Sequence, residues 1–510
     1  MDKLINWLND KKLAIFALIF MAASLFPFFY LSHYVRPAGD DFGFARHTHA
    51  AWLDTGSLWE VIKAAFFHVK LFYNSIGGEW FAAFFYSLMP EVFAPYGFWA
   101  GPYLIMLCHI AGTFFFLNYF LRKILGMRWE YFALIWSLIL IISLQYLPSN
   151  NTGVYWFAAG VHYILPHMLF LFALISLSKY IITSEKKYLY YLLLLTFAIG
   201  GSNYSHGMLI IIIFTLMIII LAKKNRKILY LILPFLICLI GLFIQLKSPG
   251  NVHRFANIGE EFGFDFSNVI KAIFLSLAEA IRNPFNYFSR APLSIVIVLL
   301  LIVFCWIGLL TALKEKKTLI SFRYPLLFII LVFLANSAMN LQRIYAVEIN
   351  GIEDASSGTL VVGYLVFWLS WLSVILYCEG YLITKLLNKK KIILTDEGLY
   401  RKYILFPAFI LCFALCVFFR SNVKDSFAYQ SYVYVKSGAA AEYKWRIAEY
   451  MVILLDDDIE EAYLKPINNE QGPLLHWTIV DDESNFVNWA YQVFYRKKLV
   501  KISDEDWHWE

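Results

Sequence analysis

The chain has 510 residues, of which 60% are hydrophobic, 19% aromatic and only 16% charged, and its mean hydropathy is +0.61. A water-soluble fold could not cover so much apolar surface, so most of that surface must face lipid. The net charge of +6 comes from short basic clusters between apolar runs, which argues against a nucleic-acid partner. The six cysteines lie in apolar runs without metal-ligand spacing, so we expect neither a disulfide framework nor a zinc site. We expect no cofactor.

The first apolar run, about residues 13 to 34, follows a basic N-terminus and has no small-residue cleavage site. It therefore predicts a retained membrane helix whose N-terminus stays inside. The next segment, 35 to 97, is too polar to span as a whole. Apolar residues at helical spacing in 50 to 72, and a short apolar run in 80 to 89, predict helices that lie in the outer interface of the membrane.

Ten more apolar runs bring the expected number of membrane-spanning helices to about eleven. They lie near 98–121, 130–147, 162–182, 187–203, 207–222, 228–246, 293–313, 324–340, 359–387 and 402–419. Basic residues concentrate in the loops that this topology places inside, among them Arg122, Lys123, Lys186, Lys187, Lys223, Lys224, Lys314, Lys316 and Lys389 to Lys391. The positive-inside bias then predicts an N-terminus inside and a C-terminus outside.

Two domains follow from this layout. Residues 1–419 form a transmembrane domain with a first outer loop at 35–97, and residues 420–510 form an extracytoplasmic, mainly helical domain with little strand alternation. The predicted fold class is an all-α polytopic membrane protein.

Two adjacent carboxylates, Asp40 and Asp41, come directly after the first span. A carboxylate at the mouth of a membrane can act as a base on a substrate that is anchored in lipid. Adjacent carboxylates also repel, which raises the proton affinity of one of them, although the sequence leaves open which one. The alternative interpretation is a solvated loop or a helix cap.

Basic residues on the same outer side are candidates to hold a phosphate. Arg254 and His253 follow the turn Pro249-Gly250-Asn251, His206 lies between two closely spaced helices, and Arg343 begins the outer segment that ends at Asp354. Guanidinium groups fit phosphate oxygens well. Alternatively, the turn is only a turn, Arg254 extends to lipid headgroups, and His206 is a satisfied polar residue at a helix end.

Further outer-side residues are candidates for contact with a sugar or an acceptor. These are Tyr155, Trp156, His162, Glu79, Lys497 and Lys498. Trp and Tyr stack on sugar rings, but they also form interfacial belts in membrane proteins. The basic residues near the C-terminus are equally consistent with a solvated patch.

A resemblance to a known family covers nearly the whole chain in architecture, from the first helix and the long first outer loop to the C-terminal domain. Two short motifs add to it: Gly39-Asp40-Asp41-Phe42 and Ser248-Pro249-Gly250-Asn251-Val252-His253-Arg254. The chain resembles the GT-C superfamily of polyprenyl-phosphate-sugar-dependent glycosyltransferases, and its length and tail are similar to those of O-antigen-modifying, serotype-converting glucosyltransferases. The resemblance implies inverting transfer with a first-loop aspartate as base, no obligatory metal, and a role for a basic pair near the C-terminus, here Lys497 and Lys498.

The expected activity is transfer of one sugar, a hexose such as glucose, from undecaprenyl phosphate to a cell-envelope glycan such as O-antigen of lipopolysaccharide. The expected location is the outer face of the bacterial cytoplasmic membrane, with membrane lipid, a small flippase and a polyprenyl-phosphate sugar synthase as partners. Two alternatives stay open: an O-antigen polymerase or ligase, and a lipid-linked glycan flippase. The polymerase is disfavoured by arginine-poor outer loops, and the flippase by spans that are nearly free of charge.

Overall fold

The structure is a computed structural model that describes residues 9–257, 265–345, 356–388 and 401–503. It is mostly helical, at 79%. In these ranges, eight helices are long and apolar enough to cross a membrane: Asp10–Leu31, Gly97–Ile124, Phe157–Thr183, Tyr204–Leu221, Arg226–Leu246, Ser294–Lys314, Pro325–Arg343 and Gly358–Asn388. The prediction of a helical, polytopic membrane protein is therefore confirmed.

Three other predicted spans coincide with shorter apolar helices, Trp129–Gln145, Lys186–Gly200 and Lys402–Phe418. The helix Lys186–Gly200 has 15 residues. At about 1.5 Å per residue it is shorter than a hydrocarbon core of about 30 Å. The count of eleven spans stays a prediction, and so does the orientation.

The N-terminal half consists of helices joined by short turns. Its α-helices are α1 (Asp10–Leu31), α2 (Asp40–Thr55), α3 (Leu58–Ser75), α4 (Trp80–Tyr86), α5 (Ala100–Leu117), α6 (Trp129–Gln145), α7 (Phe157–Thr183), α8 (Lys186–Gly200), α9 (Tyr204–Leu221), α10 (Ile232–Leu246) and α11 (Pro249–Asn257). Short 3₁₀ or π turns occupy Pro90–Val92, Gly97–Trp99, Asn118–Ile124, Asn151–Tyr155 and Arg226–Leu231.

The C-terminal half continues in the same way before a small mixed unit. Its elements are α12 (Phe266–Arg290), α13 (Ser294–Lys314), α14 (Pro325–Arg343), α15 (Ser356–Asn388), a π turn (Arg401–Leu405), α16 (Phe406–Phe418), a 3₁₀ turn (Arg420–Asp425), α17 (Phe427–Lys436), α18 (Ala439–Leu454), β1 (Glu461–Leu464), α19 (Phe486–Tyr495) and β2 (Leu499–Ile502). Lys389 to Lys391 and residues 346–354 lie outside the described residues.

The C-terminal unit differs from the expected mainly helical domain by a pair of parallel strands. In β1 and β2, Glu461 is opposite Leu499 and Leu464 is opposite Ile502. Only four residues of β1 alternate between exposed and buried, which is too short a pattern to identify a strand from sequence. Asn488 of α19 anchors β2, because its Nδ2 donates to the backbone oxygen of Val500 at 3.0 Å.

The C-terminal unit packs directly on α2, the helix that begins with the two aspartates. Phe42 lies between the rings of Tyr491 and Phe494, with centroid separations of 4.6 and 5.0 Å. His49 stacks on Phe494 with a centroid separation of 4.0 Å. Aromatic packing of this kind adds stability beyond the area that it buries, so α19 fixes the position of α2.

Candidate functional site

A cavity of about 310 Å³ lies where the start of α2, the turn between α3 and α4, the start of α7 and α11 come together. The described residues that line it are Asp40, Phe44, Phe72, Ser75, Ile76, Glu79, Tyr86, Trp156, Ala158, Ala159, His162, Tyr163 and Arg254. Five of the residues singled out from the sequence are therefore brought together at one place: Asp40, Glu79, Trp156, His162 and Arg254. What each of them does there stays a prediction.

The two adjacent aspartates have different surroundings. Asp40 faces the cavity at the first turn of α2. Its burial raises the pKa of the carboxyl to about 6, although the positive charge of Arg254 lowers that pKa. A carboxylate with a pKa near neutrality is well suited to accept a proton at physiological pH.

Asp41 is fully buried and bonded to the backbone. Its Oδ1 accepts the N–H of Ala158 at 2.9 Å, and its Oδ2 accepts the N–H of Ala38 at 3.2 Å. Burial raises the pKa of Asp41 to about 7, while the N–H of Ala158 and then that of Ala38 lower it, and the charge of Asp40 raises it again. Because Ala158 is in the first turn of α7, Asp41 joins α2 to the N-terminus of that helix.

Glu79 reaches the cavity from a tight turn that requires glycine. A Cβ at Gly78 would lie 2.1 Å from the backbone oxygen of Gln245, so only glycine allows this approach to α10. A Cβ at Gly77 would lie 2.5 Å from Oε2 of Glu79. That oxygen is buried and has no hydrogen-bond partner among the described residues. A buried acceptor of this kind favours a ligand that brings a donor.

Arg254 is positioned by the motif that begins at Ser248. The hydroxyl of Ser248 donates to the backbone oxygen of Tyr73, and Nδ2 of Asn251 donates to the backbone oxygen of Gln245 at 2.8 Å. A Cβ at Gly250 would lie 2.6 Å or less from backbone nitrogens of the turn after α3. The motif therefore docks α11 against α3, and Arg254, which lines the cavity, follows one turn later.

Aromatic and imidazole side chains form the rest of the wall. The hydroxyl of Tyr86 lies within hydrogen-bond distance of Nδ1 of His162. Trp156 packs against Trp477 of the C-terminal unit with a centroid separation of 5.4 Å, and its Nε1 is buried without a partner among the described residues. Indole and phenol rings combine an apolar face with a donor, which suits a sugar ring.

Besides Asp41, six predicted residues are not among the described residues that line the cavity. Two are His253, which is exposed on α11, and Tyr155, which is fully buried and donates from its hydroxyl to the backbone oxygen of Phe28 at 3.0 Å. The others are His206, Arg343, Lys497 and Lys498. Tyr155 is thus a packing residue and presents no ring face to a ligand in this cavity.

His206 and Arg343 each have a partner elsewhere. Nε2 of His206 lies 3.3 Å from Nδ1 of His167, deep between helices. Arg343 pairs with Glu279 on α12, and its guanidinium is mostly buried. Both side chains are therefore engaged away from the cavity that holds Asp40.

Lys497 and Lys498 also lie away from this cavity. Lys497 is buried, and its Nζ donates to the backbone oxygens of Asp456 and Ile459. Lys498 is exposed and pairs with Glu460. The basic pair holds the C-terminal unit together locally.

Sequence reasoning missed Tyr86, Tyr163, Phe44 and Phe72, which line the cavity. Tyr86 and Phe72 do lie in the predicted interfacial stretches, but an aromatic at helical spacing is more often a packing residue than a binding one. Among the described residues, no group of three or more His, Cys, Asp or Glu side chains is placed to hold a metal ion.

Comparison of the chain with protein-family models, with curated proteins and with solved structures finds no match.

Proposed function

We propose that this chain is an inverting glycosyltransferase of the bacterial cytoplasmic membrane that moves a single sugar from undecaprenyl phosphate to a cell-envelope glycan. A hexose such as glucose is the proposed sugar, and O-antigen the proposed acceptor class. The observation that carries the proposal is a carboxylate, Asp40, and a guanidinium, Arg254, in one cavity at the end of membrane-length helices.

The proposed reaction is one displacement at the anomeric carbon of the sugar. The acceptor hydroxyl oxygen forms a bond to that carbon as the bond from the carbon to the phosphate oxygen breaks, and the electron pair leaves with the polyprenyl phosphate. Asp40 accepts the proton of the acceptor hydroxyl. A pKa of about 6 keeps Asp40 ionised at neutral pH while leaving it basic enough to accept that proton.

Arg254 is the proposed stabiliser of the leaving phosphate. Negative charge on the phosphate grows as the bond to the sugar breaks, and a nearby guanidinium lowers the energy of that state. The docking of α11 on α3 positions the backbone that carries this exposed side chain beside the cavity.

The size and lining of the cavity support transfer of one sugar in preference to polymerisation, ligation or flipping of a whole glycan. About 310 Å³ is at the lower end of the range for ligand pockets, roughly 300–1,000 Å³. Arg254 is the single arginine among its described lining residues. Glu79 and Trp156 supply an acceptor and a ring face that suit sugar hydroxyls and a sugar ring.

The test is a transfer assay with membrane vesicles that contain the full chain, synthetic polyprenyl-phosphate glucose and a polysaccharide acceptor. We expect glucose to appear on the acceptor, and Asp40→Asn to reduce the rate by about 10² to 10⁴, the usual range for removing a general base. Asp54→Asn is a matched control, because Asp54 is exposed at the far end of the same helix.

Glycan analysis of cells with and without the gene complements this assay, because it identifies the sugar and the acceptor together. Loss of one sugar substituent with an intact polymer is the expected result. Shortened polymer, or full activity of the Asp40→Asn variant at a normal membrane level, would overturn the proposal. A small flippase and a polyprenyl-phosphate sugar synthase are the proposed pathway partners.

A further inference from the structure

A second cavity, of about 290 Å³, lies between the helical bundle and the C-terminal unit. Its described lining residues are Tyr146, Leu147, Pro148, Ser149, Asn150, Asn151, Arg290, Ala291, Asp425, Phe427, Gln430, Gly472 and Pro473. An adjoining hollow of about 440 Å³ shares Gln430, Gly472 and Pro473 with it. We call the two together the distal cleft. It shares no described lining residue with the cavity that holds Asp40.

Amide groups dominate the polar lining of the distal cleft. Asn150 and Asn151 come from the loop between α6 and α7, and Gln430 comes from α17. The Oδ1 atom of Asn150 is buried and has no hydrogen-bond partner among the described residues. Such an atom is costly unless a ligand or water donates to it. Planar amides can donate and accept at once, as pairs of neighbouring sugar hydroxyls require.

Charges of both signs and several phenol rings complete the lining. Arg290 lies at the end of α12, and Asp425 lies before α17, where it accepts from Nδ2 of Asn422 at 2.9 Å. Tyr429 and Tyr434 line the adjoining hollow. The distal cleft has two cations, Arg290 and Lys424, and one carboxylate, Asp425, so its charge alone does not select between a phosphate and a sugar. Aromatic faces beside neutral hydrogen-bonding groups favour a carbohydrate chain.

Two chain segments connect the distal cleft to the cavity that holds Asp40. The loop after α6 supplies Asn150 to the cleft and, at its other end, Trp156 to the cavity. The segment after β1 supplies Pro473 to the cleft and then packs Trp477 against Trp156. The distal cleft and the cavity that holds Asp40 are therefore linked by the two chain segments that carry this pair of indole rings.

We propose that the distal cleft binds a neutral oligosaccharide stretch of the acceptor glycan, several sugars away from the hydroxyl that reacts. This inference rests on the proposed function only in calling that glycan the acceptor. Binding of the unreactive part of a substrate contributes to its affinity and holds the reactive end in place. The transfer rate should then depend on acceptor length.

The test uses the full chain with Asp40→Asn, in lipid nanodiscs, with maltohexaose, isomaltohexaose and glucose as probes. We expect at least one hexasaccharide to bind and to slow hydrogen exchange in α17, while glucose does neither. Gln430→Ala should weaken that binding about tenfold, the loss expected for one hydrogen bond of about 1.4 kcal/mol. Gln492→Ala is the matched control, because Gln492 lines neither hollow.

The outcomes separate this inference from the proposed function. Hexasaccharide binding that Gln430→Ala weakens supports the cleft. If the chain with Asp40 intact then shows no transfer in the vesicle assay, the cleft stands and the transferase proposal fails. Active transfer with no hexasaccharide binding, or binding that is equal in the Gln430→Ala variant, overturns the cleft. The proposal for the cleft is also overturned if phosphatidylglycerol in the nanodisc, without any added sugar, slows hydrogen exchange in α17. That result would assign the cleft to an anionic lipid headgroup.

Discussion

Two neighbouring carboxylates in this chain take different roles because one faces a cavity and the other faces backbone donors. Asp40 lines the cavity, whereas both oxygens of Asp41 accept backbone N–H groups. Adjacent residues of a helix point about 100° apart, since the helix has 3.6 residues per turn. This angular offset turns an acidic pair into one available carboxylate and one that holds two helices together.

For Asp41, replacement by Asn should lower stability. The amide group of Asn can accept at one position but presents N–H donors at the other, where Ala38 or Ala158 also donates. Leaving a buried donor unsatisfied costs about 1–3 kcal/mol. We expect a lower Tm for Asp41→Asn in detergent and an unchanged Tm for Asp54→Asn. Equal Tm values for the two variants would show that the backbone contacts of Asp41 do not matter.

The pH dependence of transfer should report the ionisation of Asp40. In the proposed reaction its ionised form is the base, so kcat/KM should rise with pH through about 6 and level off above it. Arg254 lowers the pKa of Asp40, so Arg254→Gln should raise that pKa and move the acid limb to higher pH, in addition to lowering the rate.

Arg420→Gln is the control for this shift, because Arg420 lies in the turn before the C-terminal unit and is not among the described residues that line the cavity. Its profile should coincide with that of the unmodified chain. An acid limb that stays in place in Arg254→Gln would mean that the charge of Arg254 does not act on Asp40.

At the scale of elements, the position of α11 depends on close backbone approaches that only glycine permits. Gly250 faces backbone nitrogens of Ile76 and Gly77, and Gly78 faces the backbone of Gln245. Side chains cannot move aside here, because the atoms in the way belong to the main chain. Gly250 in the turn Pro249-Gly250-Asn251 therefore does more than form a turn, because its missing side chain lets α11 approach the end of α3.

Gly250→Ala should push α11 away from the end of α3. The added Cβ would lie 2.5 Å from a backbone nitrogen, so α11 must move and carry Arg254 with it. A misplacement of about 1 Å at a group that acts on the substrate, the role proposed for Arg254, reduces the rate by about 10²-fold. Gly363→Ala on α15 is the control, because its nearest neighbour would be 3.7 Å away. Similar transfer rates for the two variants would contradict the steric argument.

At the scale of the whole molecule, the C-terminal unit packs on α2, the helix that carries Asp40, and stabilises its position. Phe494 is buried between Phe42 and His49, and Arg496 pairs with Asp54 at 2.7 Å. The exposed ion pair contributes little, so the aromatic packing supplies most of the coupling. The division of the chain at residue 419 stays a prediction.

Phe494→Ala should therefore affect both stability and transfer. Removing a buried phenylalanine costs about 3–5 kcal/mol. We expect a lower Tm, and a lower transfer rate because α2 loses its support. Trp445→Ala is the control, since Trp445 is a large aromatic of the same unit that is 57% exposed. If Phe494→Ala lowers the Tm but leaves the transfer rate unchanged, the packing of the C-terminal unit on α2 does not contribute to transfer.

The sequence alone determined the membrane class and the candidate elements. Apolar runs of membrane length have few other stable environments, so composition and spacing were enough to predict eight helices that the structure contains. The acidic pair, Glu79, Trp156, His162 and Arg254 were also found as polar or aromatic residues at the ends of such runs.

Only the tertiary structure decided which of these residues meet. Asp40, Glu79 and Arg254 are separated by many residues along the chain, and their meeting depends on how α11 docks on α3 and how α19 packs on α2. The same packing placed His206, Arg343 and Lys497 elsewhere. Periodicity reports which face of a helix is apolar, but contacts between distant helices are set by side-chain shape and close backbone approach, which periodicity does not contain.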